Sequence, residues 1–307
     1  MPEQNYDVVI IGAGPAGLMA GVYTSRDRMR TLIIERGLFG GQITTAGVVE
    51  NFPGFPEGIE GIELGERMRQ QAEKFGANII TAEVSSLEIK GEPKVVKTSE
   101  GDFTARVVIL AGGSERAKMG VPGEAEFTGK GVSYCATCDA AFFRDKRVAV
   151  VGGGDAAITE ALHLARFASH ITLIHRRHEF RATRIMQERA FAEPKIEVLW
   201  DSVIEEVVGA DFLKTLKLRN VKTGQKSTLD VAGVFVSIGF KPETGYLKGV
   251  VPLDEAGHVV TNEKMETNVP GVFAAGDIRH NSGRQAITAA GDGATAAIYA
   301  EKFLTEH

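Results

Sequence analysis

Apolar residues along the chain gather in short runs, each closed by glycines and followed by a stretch with helical spacing. The first run, Val8 to Ile11, is β-branched and predicts a strand. It leads into Gly12-Ala13-Gly14-Pro15-Ala16-Gly17 and then into a helix-like segment. A second apolar run, "TLIIE", ends in Glu35. Residues 37–58 are rich in Gly, Thr and Pro and read as a loop. The stretch "GIELGERMRQQAEKFGA" returns to helical spacing, with Ile62, Met68 and Phe75 leaning to one side and charges opposite. Short β-like runs lead to "RVVILAGG" at 106–113, and a Pro- and Gly-bearing segment crosses to the next block.

The same pattern then recurs. "KRVAVV" is followed by Gly152-Gly153-Gly154-Asp155-Ala156-Ala157, a helix-like segment, and a further strand, "HITLIHRR". This block closes near a buried strand at Gly233 to Ile238. The tail returns to a strand ending at Asp277, a polar loop, and an alanine-rich helix carrying Ala286, Ala289, Ala290, Gly293 and Ala297. Such a tail completes the first block. The second is therefore expected as an insertion: one discontinuous domain of residues 1–117 and 245–307, and one of 118–244. Two crossings, near 114–122 and 241–247, are expected, and side by side they make a hinge possible.

A strand, then GxGxxG, then a helix is the context of a dinucleotide-binding turn. Gly12 allows the tight turn, Gly14 lets the backbone approach a pyrophosphate, and Gly17 lets the helix lie against the strand. The helix N-terminus offers free N–H groups to the phosphates. Glu35 follows Gly12 by 23 positions and suits a ribose diol. In the second unit Gly152 and Gly154 repeat the pattern, with Ala157 in place of the third glycine. Its second strand ends in His175-Arg176-Arg177, with Arg181 beyond. Arginines grip a 2′-phosphate with forked, charge-assisted hydrogen bonds. The two units are thus expected to bind different dinucleotides, FAD in the first and NADPH in the second, with electrons passing between them.

Composition narrows the partners. A net charge of −5 gives no electrostatic case for nucleic acid. The most apolar run, Val8 to Met19, is short and broken by glycines and a proline, so no membrane span is expected. The start, "MPEQNYDVVI", has no basic leader pattern, and two cysteines do not make a secreted disulfide framework. A cytoplasmic protein is the expectation.

Taken together, "GAGPAG" at 12–17, "GGQ" at 40–42, "ENFPGF" at 50–55, "CATCD" at 135–139, "GGGDAA" at 152–157, "HRR" with "FRA" at 175–182 and "GVFAAGD…RQ" at 271–285 resemble the low-molecular-weight thioredoxin reductases over the whole chain. The resemblance implies an α/β fold of two Rossmann-like, three-layer ββα domains, the NADPH domain inserted into the FAD domain. It also implies a homodimer, non-covalent FAD, NADPH as donor and thioredoxin as acceptor. By resemblance, Asp277 holds the ribityl chain of FAD, and Arg284-Gln285-Ala286 lies at the isoalloxazine. Gly41, Gln42 and Asn51 match FAD-contacting positions, and Asp155 and Ala156 fall in the NADPH turn. The chain departs from the family at Ala46 and Gly47, where some members carry threonine, and at Gly112, where an ATG-type turn has Thr.

Cys135 and Cys138 are the only cysteines. Their spacing permits a zinc half-site, a structural bridge or a redox pair. Structural zinc wants four ligands, and no third cysteine exists; metal is therefore not expected. A structural bridge would close a tiny loop in a reducing compartment. The redox dithiol is the reading adopted. Resemblance puts Cys138 beside the flavin, Cys135 as the attacker of thioredoxin, and Asp139 as general acid. Because the CxxC and the NADPH turn share one domain and the flavin lies in the other, the inserted domain is expected to rotate between two poses, as it does in the family. Two related enzymes are set aside: an alkyl hydroperoxide reductase-type flavoprotein carries an added N-terminal thioredoxin-like segment, and a ferredoxin-fed reductase lacks the nicotinamide motif. A nucleotide-sensing module would not need the CxxC.

Overall fold

The computed structural model describes residues 5–306; residues 1–4, where a leader would begin, lie outside the described residues. The chain divides into two compact units, Met1–Glu115 with Lys241–His307, and Arg116–Phe240.

The first unit is built on a sheet laid down by the apolar runs. Strand β1 (Asn5–Ile11) leads to helix α1 (Pro15–Arg26) and β2 (Thr31–Glu35). A small hairpin, β3 (Val48–Val49) and β4 (Ile59–Glu60), precedes α2 (Gly61–Lys74) and β5 (Asn78–Thr81). A meander follows: β6 (Val84–Glu88), β7 (Lys94–Thr98) and β8 (Gly101–Leu110). After the inserted unit, β19 (Val272–Ala274) and α6 (Ala286–Glu306) complete the fold. The parallel order is β5-β2-β1-β8, with β19 pairing the end of β8, while β7 and β6 continue antiparallel from its start. Strand alternation separates two apolar layers. Val8 and Ile10 face α1, α2 and α6; Val9 and Ile11 face the meander side, with Val96 and Phe103. The layers are thus helix, parallel sheet and meander.

Helix α2 corrects one expectation. Its inward face is Leu64, Met68 and Ala72, spaced four apart, and Ile62 is 64% exposed. Two residues of helix turn Ile62 about 200° from Leu64, onto the solvent side.

The second unit repeats the plan. Strand β9 (Ser114–Arg116) carries the chain in, followed by β10 (Val132–Ser133), the one-turn helix α3 (Ala136–Asp139), β11 (Arg147–Gly152), α4 (Asp155–Ala165), β12 (His170–Ile174), α5 (Arg184–Ala192) and β13 (Ile196–Leu199). Then come β14 (Ser202–Gly209), β15 (Leu213–Asn220), β16 (Lys226–Asp230) and β17 (Gly233–Ser237). Its parallel sheet runs β10-β17-β11-β12-β13, and β14-β15-β16 form a separate antiparallel sheet. Val148 and Val150 pack on Ala157, Ile158 and Ala161 of α4, while Ala149 faces Leu216 and Leu218 of the antiparallel sheet. The chain leaves through β18 (Phe240–Pro242), which is hydrogen-bonded to β9, so the two crossing segments are paired. Among the described residues, no helix is long and apolar enough to cross a membrane.

Candidate functional site

At the end of β1, Gly12 has φ +106°, and a Cβ there would lie 2.3 Å from the Ala111 carbonyl oxygen. A Cβ on Gly17 would lie 1.8 Å from the Gly12 oxygen. The chain's own packing requires both glycines. Gly14 is different. Its φ is −76°, ordinary for any residue, and a Cβ would have no neighbour nearer than 4.0 Å. Nothing within the protein forbids a side chain there, so the chain's own packing does not account for this glycine. Gly41 lies against it, its built Cβ 3.0 Å from Gly14 Cα. Pro15 starts α1, whose first turn has no acidic residue and no side-chain cap.

Glu35 and the Gly276–Asp277 segment pack on this turn, while other first-unit positions pair with one another. Glu35 accepts from Ala13 N at 2.7 Å and from Gly37 N at 2.8 Å, keeping lone pairs to spare. Buried Ala16 is pressed by both Gly276 and Gly293: a Cβ on Gly293 would lie 2.0 Å from the Ala16 oxygen. That contact brings α1, α6 and the Asp277 loop together. Burial pushes the Asp277 carboxyl up, against a 2.9 Å hydrogen bond from Ser282 Oγ. Asn51 Nδ2 donates to Gln285 Oε1 at 2.9 Å, joining residues 234 apart in sequence. Gln42 Nε2 reaches the Ser114 oxygen at 3.4 Å. Arg284 has φ +52°, a left-handed residue just before Ala286 opens α6.

Sequence reasoning missed what holds the Asp277 loop. Asp292 on α6 takes Arg279 Nε at 2.6 Å and Nη2 at 2.8 Å, and also accepts from Gly276 N at 3.1 Å. A charged residue amid the alanines of that helix is the signal that was available.

In the second unit Gly152 is needed by packing, since a Cβ would lie 2.1 Å from the Ser237 oxygen and 2.6 Å from the Ala157 Cβ. Gly154, like Gly14, has an ordinary φ of −105° and open space where its Cβ would be. Asp155 begins α4, with exposed Ala156 next to it. Arg176, Arg177 and Arg181 are exposed, and none makes an ion pair among the described residues. His175 stands apart from them. It is 5% exposed, its ring centroid lies 5.6 Å from that of Phe180, and a Cβ on Gly153 would fall 2.2 Å from it. Burial, reinforced by Arg181 and Arg177, pushes its pKa down. It is therefore a ring packed beneath the turn rather than an exposed cation.

The cysteines sit in the same unit. Cys135 and Cys138 are joined as a disulfide across the single turn of α3. Cys135 caps that turn, its Sγ accepting from Cys138 N at 3.2 Å. Buried Ser133, also missed from sequence, ties the motif: its Oγ accepts from Cys135 N at 3.1 Å and donates to Asp139 Oδ2 at 2.7 Å. Cys138 is exposed and Cys135 half-buried. Just before them Tyr134 donates to buried Glu124 at 2.6 Å, and its own burial pushes the phenol pKa up. No group of three His, Cys, Asp or Glu among the described residues is placed to hold a metal.

Two dinucleotide turns and a CxxC disulfide define a class of flavoprotein, and comparison with known proteins agrees: the chain belongs to the pyridine nucleotide-disulphide oxidoreductase family, matched over residues 6–293. Within it, the chain is 49% identical to the thioredoxin reductase of Streptomyces coelicolor, covering 97% of this chain and 94% of that one. It is 46% identical to the thioredoxin reductase of Peptoclostridium acidaminophilum, covering 98% of each. The crystal structure of Lactococcus lactis thioredoxin reductase superposes with a TM-score of 0.96 at 44% identity, over 98% of this chain and all of that one. The residues present fit the cofactors of this class, FAD and NADPH. Gly14 and Gly154 leave open space where a Cβ would be, and the second lies in the unit whose exposed Arg176, Arg177 and Arg181 make no ion pair among the described residues.

Proposed function

We propose that this protein is an NADPH-dependent flavoprotein that reduces the disulfide of thioredoxin through FAD and the Cys135–Cys138 pair. The observation that carries the reading is the Cys135–Cys138 disulfide in the same unit as an arginine-flanked dinucleotide turn, in a chain whose full-length relatives are thioredoxin reductases. When bound, NADPH supplies a hydride, and FAD passes the electron pair to the disulfide.

The residues divide the work. Gly12, Gly14, Pro15, Ala16 and Gly17 shape the FAD pyrophosphate turn, with Glu35 on the ribose. Gly41, Gln42, Asn51, Asp277, Arg284, Gln285 and Ala286 line the rest of the flavin. Gly152, Gly154, Asp155 and Ala156 form the NADPH turn; Arg176, Arg177 and Arg181 take the 2′-phosphate, and His175 supports them from below. Cys138 is the sulfur that faces the flavin. Asp139, held by Ser133, gives a proton to the thiolate released when the bridge opens. Cys135, as thiolate, attacks one sulfur of the thioredoxin disulfide and forms a mixed disulfide, releasing the other thioredoxin sulfur as thiolate. Cys138 then attacks Cys135, re-forming the bridge and freeing reduced thioredoxin.

The inserted unit rotates between donor and acceptor poses about the paired crossings β9 and β18. An engineered cross-link that locks the two units stops turnover with thioredoxin; full activity in the locked protein refutes the rotation. The working form is a cytoplasmic homodimer, which sedimentation of the FAD-loaded protein tests. The direct test of function is a thioredoxin-coupled disulfide assay with NADPH.

A further inference from the structure

Asp155 is the first residue of α4, and its Oδ1 accepts from Thr183 N at 2.7 Å and from Thr183 Oγ1 at 3.1 Å. Two residues earlier, Arg181 N donates to the Gly153 oxygen at 2.7 Å. The segment 181–183 is therefore pinned to the glycine turn at both ends. Phe180, just before it, is 7% exposed and packs on His175 and Trp200, so the segment cannot slide inward. Only the Arg181 side chain, exposed and without an ion pair among the described residues, is left to point outward.

This arrangement bears on specificity. A carboxylate at the mouth of an anion site repels the anion, so an aspartate at 155 needs a reason. Here its charge is taken up by two donors from Thr183, which a backbone N–H and a hydroxyl supply together. We infer that Asp155 and Thr183 form a latch that fixes the reach of Arg181 and so sets the preference for a 2′-phosphorylated nucleotide. Thr183 is a positioning residue: it acts through Arg181 and Asp155, not by touching the nucleotide. The inference rests on the reading of the arginine cluster as the 2′-phosphate site.

The test is calorimetric binding of 2′,5′-ADP and of 5′-AMP to the FAD-loaded protein, which reads the 2′-phosphate alone and needs no turnover. In Thr183→Ala the ratio of the two affinities is expected to fall about tenfold, near the cost of one charge-assisted hydrogen bond. Thr183→Ser, which keeps both donors, restores the ratio. Arg176→Ala/Arg177→Ala/Arg181→Ala, which removes the whole cluster, is the control for the underlying reading. If that control loses the 2′-phosphate preference while Thr183→Ala keeps it, the latch is overturned. If the control itself keeps the preference, the assignment of the 2′-phosphate site falls with it.

Discussion

Replacing Asp292 with alanine isolates the device that holds the Asp277 loop. Its carboxylate is bidentate with Arg279, and the two side chains are only 11% and 15% exposed. Exposed ion pairs contribute up to about 1 kcal/mol, but breaking a buried pair strands a charge and costs about 3–5 kcal/mol. The Gly276 N–H also loses its acceptor, a further cost of about 1 kcal/mol. Asp292→Ala is therefore expected to lower stability by at least about 3 kcal/mol. FAD should be lost before the fold is, because Gly276 immediately precedes Asp277. The assay is urea unfolding at fixed FAD, followed by far-ultraviolet circular dichroism for the fold and flavin fluorescence for release. The double variant Arg279→Ala/Asp292→Ala removes both charges and should recover part of the loss. A cost below about 1 kcal/mol for Asp292→Ala, with flavin retained, would refute the reasoning, because it would mean the pair behaves as a surface contact.

The two kinds of glycine separate stability from binding. Gly17→Ala puts a Cβ 1.8 Å from a carbonyl oxygen and should unfold or strongly destabilise the protein, whereas Gly14→Ala and Gly154→Ala should leave the melting temperature of the cofactor-free protein within a few degrees and weaken FAD and NADPH binding respectively. Glu243 gives a pH signature. Burial and the neighbouring Glu115 push its carboxyl up to about 7, against the pull of Arg36. Its folded pKa is above its unfolded one, so its contribution is full below about 4.5 and is lost as pH rises through about 7. Glu243→Gln should flatten the fall in melting temperature across that window, and an unchanged slope would count against the assignment. Removing the Ser133 hydroxyl in Ser133→Ala frees Asp139 and the Cys135 N–H, and should slow disulfide reduction in rapid-mixing experiments more than flavin reduction by NADPH.

The strands and both glycine turns were legible because a buried strand ending in glycine has few other uses. Local periodicity was less reliable where two apolar faces compete: Ile62 looked like core, but Leu64, Met68 and Ala72 took that face. The CxxC was visible as chemistry, yet its support from Ser133 was not, because a serine two residues before a cysteine carries no signal until the backbone bends it round. Likewise the Asp155–Thr183 pair spans 28 residues, and Arg279–Asp292 joins a loop to a helix; neither spacing is a period of any element. His175 shows how burial is hidden in sequence. In sequence it sits with the arginines at the nucleotide end of the strand, but its ring is buried under Gly153.

The central claim is an electron path from NADPH through flavin to Cys135–Cys138 and on to thioredoxin. It is tested most directly by anaerobic stopped-flow mixing of the FAD-loaded protein with NADPH and then with oxidised thioredoxin, for the parent, Cys135→Ser and Cys138→Ser. All three should bleach the flavin with NADPH, and only the parent should pass electrons on to thioredoxin. Transfer to thioredoxin by either serine variant at the parent rate would contradict the account.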